Sequence, residues 1–164
     1  MVSLLIQVTN GMKYLSERNK PIVHCDLAAR NVLVQKEMGN GIRKYIAKIA
    51  DFGLACVVDP SSGFHRIPVA QQMPYDWCAP EMRVARQATP KADVWSFGVL
   101  SWEVLCQRAP PNRQFQAPNR TFFDKDIPSK LVDCLEKCWG KNPDHRPTFQ
   151  RLEILLSEIL RNDF

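Results

Sequence analysis

Apolar residues recur along the chain with spacings that separate helical from extended stretches. Leu4, Leu5, Val8, Met12 and Leu15 fall three and four apart, which predicts an amphipathic helix over residues 2–18. Asn19-Lys20-Pro21 ends it, because proline disfavours helix in the residue before it. Val32-Leu33-Val34 and Tyr45-Ile46-Ala47-Lys48-Ile49 read as two short strands, with turn chemistry at Gly39-Asn40-Gly41. Residues 54–80 carry little period, and their prolines forbid helix interiors, which predicts a long loop that is either functional or disordered.

The strongest helix follows. Thr89 can cap it and Pro90 suits its first position. Val94, Trp95, Phe97, Val99, Leu100, Trp102, Val104 and Leu105 make it apolar nearly all round, so it is expected to be buried on most sides. Pro110, Pro111, Pro118 and Pro128, interspersed with basic residues, predict an irregular surface segment over 107–128. Helices over 129–139 and 147–161 close the chain, with apolar faces led by Leu131, Leu135, Trp139, Phe149, Leu152 and Leu156.

Composition narrows the class. The chain has 164 residues, 45% hydrophobic and 24% charged, as in an ordinary soluble domain. No apolar run approaches the roughly 18 residues that span a membrane, and Met1–Ile6 lacks the basic start and cleavage site of a signal peptide. The net charge of +5 is not organised as a basic stripe with interleaved aromatics, which argues against nucleic acid as a partner. Six cysteines stand singly, with no Cys-x-x-Cys pair, which predicts free thiols in a reducing cytosol and no zinc site.

The chemistry concentrates in His24-Cys25-Asp26-Leu27-Ala28-Ala29-Arg30-Asn31, a polar loop between two apolar anchors. Asp51-Phe52-Gly53 follows the second strand, and Ala79-Pro80-Glu81 lies further on. This ordered set resembles the signature of protein kinases. Ala28-Ala29-Arg30 after the loop aspartate is similar to the tyrosine-specific version. Pro74 with Trp77-Cys78, and Cys138-Trp139 followed by Pro143-Asp144-His145-Arg146-Pro147, resemble the substrate platform and closing motif of tyrosine kinases. The resemblance implies a mainly α, protein-kinase-like C-terminal lobe with a short β-hairpin carrying the catalytic and Asp-Phe-Gly loops. Residues 1–164 would form a partial kinase domain with its activation segment at 51–81 and an atypically short segment at 107–128.

The resemblance also assigns expected roles. Asp26 would accept the proton of a substrate hydroxyl, with Arg30 positioning the phenol and the γ-phosphate of ATP. Asn31 and Asp51 would hold Mg²⁺, and Leu33 would lie beneath the adenine. Gly53 would give the backbone freedom beside Asp51. Asp93 would accept hydrogen bonds from the catalytic-loop backbone, and Glu81 and Arg146 would form a buried ion pair. His24 and Phe52 would belong to a hydrophobic stack joining two lobes. Pro74, Tyr75, Asp76 and Trp77 would form the substrate platform, while Trp95, Phe97, Trp102 and Trp139 are expected in the core.

Four departures qualify the likeness. Cys25 stands where the family has an arginine that pairs with a phosphorylated residue, and Phe64 stands where the loop tyrosine is usual. Tyr75-Asp76 replaces an aliphatic residue and a base, reversing the local charge. No glycine-rich loop, lysine strand or hinge precedes the first helix, so the N-terminal lobe is expected to be a partner outside these residues. The first helix and Ile22-Val23 would then expose an apolar patch. The expected function is ATP-dependent transfer of phosphate to protein tyrosine, not supported by this lobe alone. The alternative is a non-catalytic lobe acting as a protein-binding module. The expected location is the cytoplasm, or the cytoplasmic part of a receptor.

Overall fold

The computed structural model describes residues 1–39, 42–110 and 120–163. The first element, α1 (Val2–Ser16), turns Val2, Leu5, Val8 and Met12 into the core. Strand β1 (Ile22–Val23) pairs with β4 (Cys56–Val57), so the chain just before the polar loop is laced to the chain just after Asp51-Phe52-Gly53. Between them lies an antiparallel hairpin of β2 (Val32–Gly39) and β3 (Ile42–Ile49), with Val32 opposite Ile49. A third small ladder joins β5 (His65–Arg66) to β6 (Gln87–Ala88), on either side of the short helix α2 (Pro80–Ala85).

The central helix α3 (Pro90–Cys106) starts as its sequence predicts, with the Thr89 hydroxyl accepting from the Ala92 amide at 3.3 Å. Its residues from Ala92 to Trp102 are all buried, and Trp95, Phe97 and Trp102 lie in the core with Trp139. The closing helices α4 (Ser129–Glu136) and α5 (Phe149–Asp163) pack beside it, linked by 3-10 turns at Lys137–Trp139 and Pro143–His145. Helix α1 lies along α5, where Lys13 donates to Glu153 at 2.9 Å.

Two expectations change. The hairpin strands each run eight residues, longer than the short strands read from their apolar cores, because the ladder continues through Gln35–Met38 opposite Arg43–Ile46. Ladder bonds need only backbone, so polar residues extend it. Asn40 and Gly41 of the expected turn Gly39-Asn40-Gly41, and residues 111–119 with Pro111 and Pro118, lie outside the described residues. The exposed apolar surface is also displaced. Val23 is buried and α1 is covered by α5 and β3, whereas Leu33 is 60% exposed and Val34, Tyr45, Phe52 and Val57 are exposed as well. Gln7 on α1 reaches β3 with both ends of its amide, donating to the Tyr45 carbonyl at 3.2 Å and accepting from the Ala47 amide at 2.9 Å.

Among the described glycines the closest approach is at Gly98, where an added Cβ would stand 2.6 Å from Trp139 Nε1 and 2.9 Å from Cys138 Cβ. Alanine would gain about 1 kcal/mol in helix propensity, but overpacking costs about 1–3 kcal/mol, and a buried indole ring has little room to yield. Gly98→Ala is expected to lower the urea midpoint without changing the slope of the transition.

Candidate active site

The polar loop is hung on one buried carboxylate. Asp93, 1% exposed on the first turn of α3, accepts from the His24 amide at 2.7 Å and the Cys25 amide at 3.1 Å. Burial pushes its carboxyl up to about 7, against the pull of those two amides. Cys25 takes the left-handed conformation, φ 65°, which a non-glycine residue adopts only when its surroundings fix it. The two bonds to Asp93 supply that fixing.

The next residue, Asp26, is held on both carboxylate oxygens. Asn31 Nδ2 donates to Asp26 Oδ2 at 2.9 Å and to its carbonyl at 2.8 Å, and Arg30 forms an ion pair with Oδ1. A 3-10 turn at Ala29–Asn31 brings Arg30 and Asn31 back over Asp26. His24 completes the loop from beneath. Its Nε2 donates to the Ala50 carbonyl at 3.0 Å, and its Nδ1 accepts from the Asp26 amide at 3.3 Å. That pattern requires the neutral Nε2–H tautomer, and burial lowers the His24 pKa in agreement.

Asp51 arrives beside the loop because Ala50 is gripped at both ends. Its carbonyl meets His24 Nε2 and its amide donates to the Asn31 carbonyl at 2.9 Å. Asp51 is itself left-handed, φ 61°, and its carboxylate accepts from the Gly53 amide at 3.2 Å. The conformational freedom expected at Gly53 is thus taken up by Asp51, since Gly53 is not left-handed. Phe52 packs its ring 4.9 Å from that of His24 and is 47% exposed.

Asn31 spends its amide nitrogen on Asp26, which leaves its side-chain oxygen as an acceptor, and the exposed Asp51 follows Ala50, whose amide is bonded to the Asn31 carbonyl. Two oxygen donors suit Mg²⁺, which keeps several waters and takes further oxygens from phosphates. Among the described residues no group of three or more His, Cys, Asp or Glu gathers into a closed cation cage.

Glu103 went unrecognised in the sequence. It stands on α3 and accepts from the Ala29 amide at 2.9 Å and from Trp77 Nε1 at 2.8 Å. Burial raises its pKa, while these bonds and Arg30 pull it down. The Trp77 ring in turn lies 4.4 Å beneath the Arg30 guanidinium. One carboxylate therefore joins the polar loop to the stretch at 74–77, where Tyr75 is exposed and Pro74 accepts from the Trp77 amide. The signal was available: Glu103 is the only acid in the apolar run from Val94 to Leu105.

Further along, Arg146 is 1% exposed and meets Glu81 through both forks, at 2.6 and 2.8 Å. It also donates to the carbonyls of Gly140 and Lys91. Arg86, left-handed at φ 52°, donates to the carbonyls of Ile67, Val69 and Gln71 at 3.3, 2.9 and 2.8 Å and also to that of Pro68.

A family model described as protein tyrosine and serine/threonine kinase matches residues 1–156. Tyrosine protein-kinase src-1 of Caenorhabditis elegans is 37% identical over 162 residues, covering 93% of this chain and 29% of that protein. Ephrin type-A receptor 1 of Homo sapiens is 34% identical over 171 residues, covering 99% of this chain and 16% of the receptor. Tyrosine-protein kinase SYK of Gallus gallus is 34% identical over 165 residues, covering 95% and 25%. The chain spans less than a third of each of these relatives. Among the described residues no helix is long and apolar enough to cross a membrane.

Two measurements check the energetics. Glu81→Ala leaves the Arg146 charge buried without its carboxylate, and is expected to cost about 3–5 kcal/mol in urea denaturation. His24 contributes a pH dependence. Its folded pKa lies below the ordinary 6.5, so its stabilisation is complete above 6.5 and is lost as pH falls towards the folded value. Between about pH 7.5 and about pH 5.5 the protein should lose more stability than its His24→Gln variant.

Proposed function

We propose that this chain, which belongs to the protein tyrosine and serine/threonine kinase family, supplies the catalytic-loop lobe of an enzyme that transfers the γ-phosphate of ATP to protein tyrosine. The observation that carries the reading is the pair of grips on Asp26, from Asn31 on one oxygen and Arg30 on the other. A carboxylate so held is oriented before substrate arrives, which is what phosphoryl transfer asks of a protein.

In this reading Asp26 accepts the tyrosine hydroxyl proton as the oxygen attacks. Arg30, braced on Trp77, steers the phenol and the transferring phosphate, and Pro74, Tyr75 and Asp76 receive the peptide around it. Asn31 and Asp51 would hold Mg²⁺, which when bound neutralises phosphate charge. Leu33, exposed on β2, offers an apolar floor for adenine. Leu33 on β2 and Phe52, both exposed, offer apolar surface to a second lobe that closes over the nucleotide. The segment from 51 to 81 serves as the activation segment, and the Glu81–Arg146 pair ties its end to the closing helices.

The test uses two proteins. Joined to a nucleotide-covering kinase lobe, the chain should phosphorylate a Glu-Tyr copolymer, and Asp26→Asn should lower kcat by about 10²–10⁴. Asp51→Ala should remove the Mg-ATP-dependent rise in melting temperature. Residues 1–164 by themselves should show no transfer. A two-lobed protein with no Mg-ATP response would reject this reading and favour a non-catalytic docking lobe.

A further inference from the structure

The loop that carries Asp26 also carries a thiol with a sulfur partner. Cys25 Sγ lies 3.5 Å from Cys56 Sγ, although the residues are 31 apart in sequence. The contact follows from the β1–β4 ladder, in which Val23 faces Cys56 and Cys25 comes two residues later. Cys25 is 4% exposed, whereas Cys56 is only partly buried. We propose that Cys25 and Cys56 form an oxidation site, in which a hydroperoxide converts the two thiols to a disulfide that bonds the polar loop to the strand following Asp51-Phe52-Gly53.

The two sulfurs have different roles. Cys56 is the accessible one and reacts first. The contact between the two thiols, with burial, raises the Cys25 pKa, and the same contact lowers that of Cys56. The Val23 carbonyl, 3.8 Å from Cys25 Sγ, is a longer alternative acceptor. The Cys56 thiolate attacks the terminal peroxide oxygen. The O–O bond breaks, the alcohol (water, from hydrogen peroxide) leaves with a proton, and Cys56 becomes a sulfenic acid. Cys25 sulfur then attacks Cys56 sulfur, the S–O bond breaks, and water leaves with the Cys25 proton. Two thiols and one hydroperoxide give one disulfide, one alcohol and one water.

Geometry favours the second step over further oxidation. The sulfurs must close from 3.5 Å to about 2.05 Å, a modest approach for a buried pair. The Cys25 backbone is pinned by Asp93, so the movement falls to Cys56, on a two-residue strand after a turn. The other buried thiols are poorer competitors, since burial pushes Cys78 up to about 12 and Cys134 up to about 11.

The intact protein is treated with graded hydrogen peroxide, alkylated, and digested with trypsin without reduction. Cys25 falls in the peptide 19–30 and Cys56 in the peptide 49–66, each with no other cysteine. The expected product is these two peptides joined and lighter by two hydrogens, at doses where Cys78, Cys106, Cys134 and Cys138 are still alkylated. Dithiothreitol should restore both thiols. Cys25→Ser should instead leave Cys56 as a sulfenic acid captured by dimedone. Oxidation of Cys56 in the native protein without linkage to 19–30, or linkage among the other cysteines first, would overturn the proposal, and this result needs no variant to fold.

Discussion

A single carboxylate buried in an apolar helix sets the geometry on which the candidate site depends. Asp93 has two amides to satisfy and little solvent to compete for them. Because those amides belong to consecutive residues, it fixes an orientation as well as a distance. The left-handed turn at Cys25 follows, and with it the direction in which Asp26 leaves the core. An unpaired carboxylate at that depth would be costly, so helix and loop are mutually dependent: α3 needs the loop's donors, and the loop needs the helix's acceptor.

A second carboxylate on the same helix extends this arrangement sideways. Glu103 lies ten positions beyond Asp93 and serves Ala29 and Trp77 together. The polar loop and the stretch at 74–77 are therefore indexed to the same rigid rod. Arg30 lies between them, stacked on one and paired with the other. Relative placement of the two surfaces is set by covalent geometry along α3, which is far stiffer than any contact between two loops.

The helices were legible because burial imposes a period. The apolar residues of α1, α3, α4 and α5 announce their faces, and Thr89-Pro90 announces where α3 starts. The residues grouped around Asp26, Asn31 and Asp51 were legible as an ordered motif. What joins them was not. The grip on Ala50, the left-handed turn at Asp51 and the double contact of Glu103 all use backbone groups, which have no letter in the sequence. The full hairpin length was hidden for the same reason, since its outer ladder is backbone pairing between solvated side chains. Glu103 shows what a sharper reading could use: a lone acid in a buried helix implies donors waiting across from it.

Arg86 separates the shape of a loop from its sequence. Its guanidinium holds carbonyls between Ile67 and Gln71 from a position on the far side of α2. Those acceptors are present whatever side chains the loop carries, and Val69 points almost wholly into solvent. The side chains of residues 68–71 can therefore change, altering what the surface offers to other molecules, while Arg86 continues to hold the path of the chain through backbone acceptors.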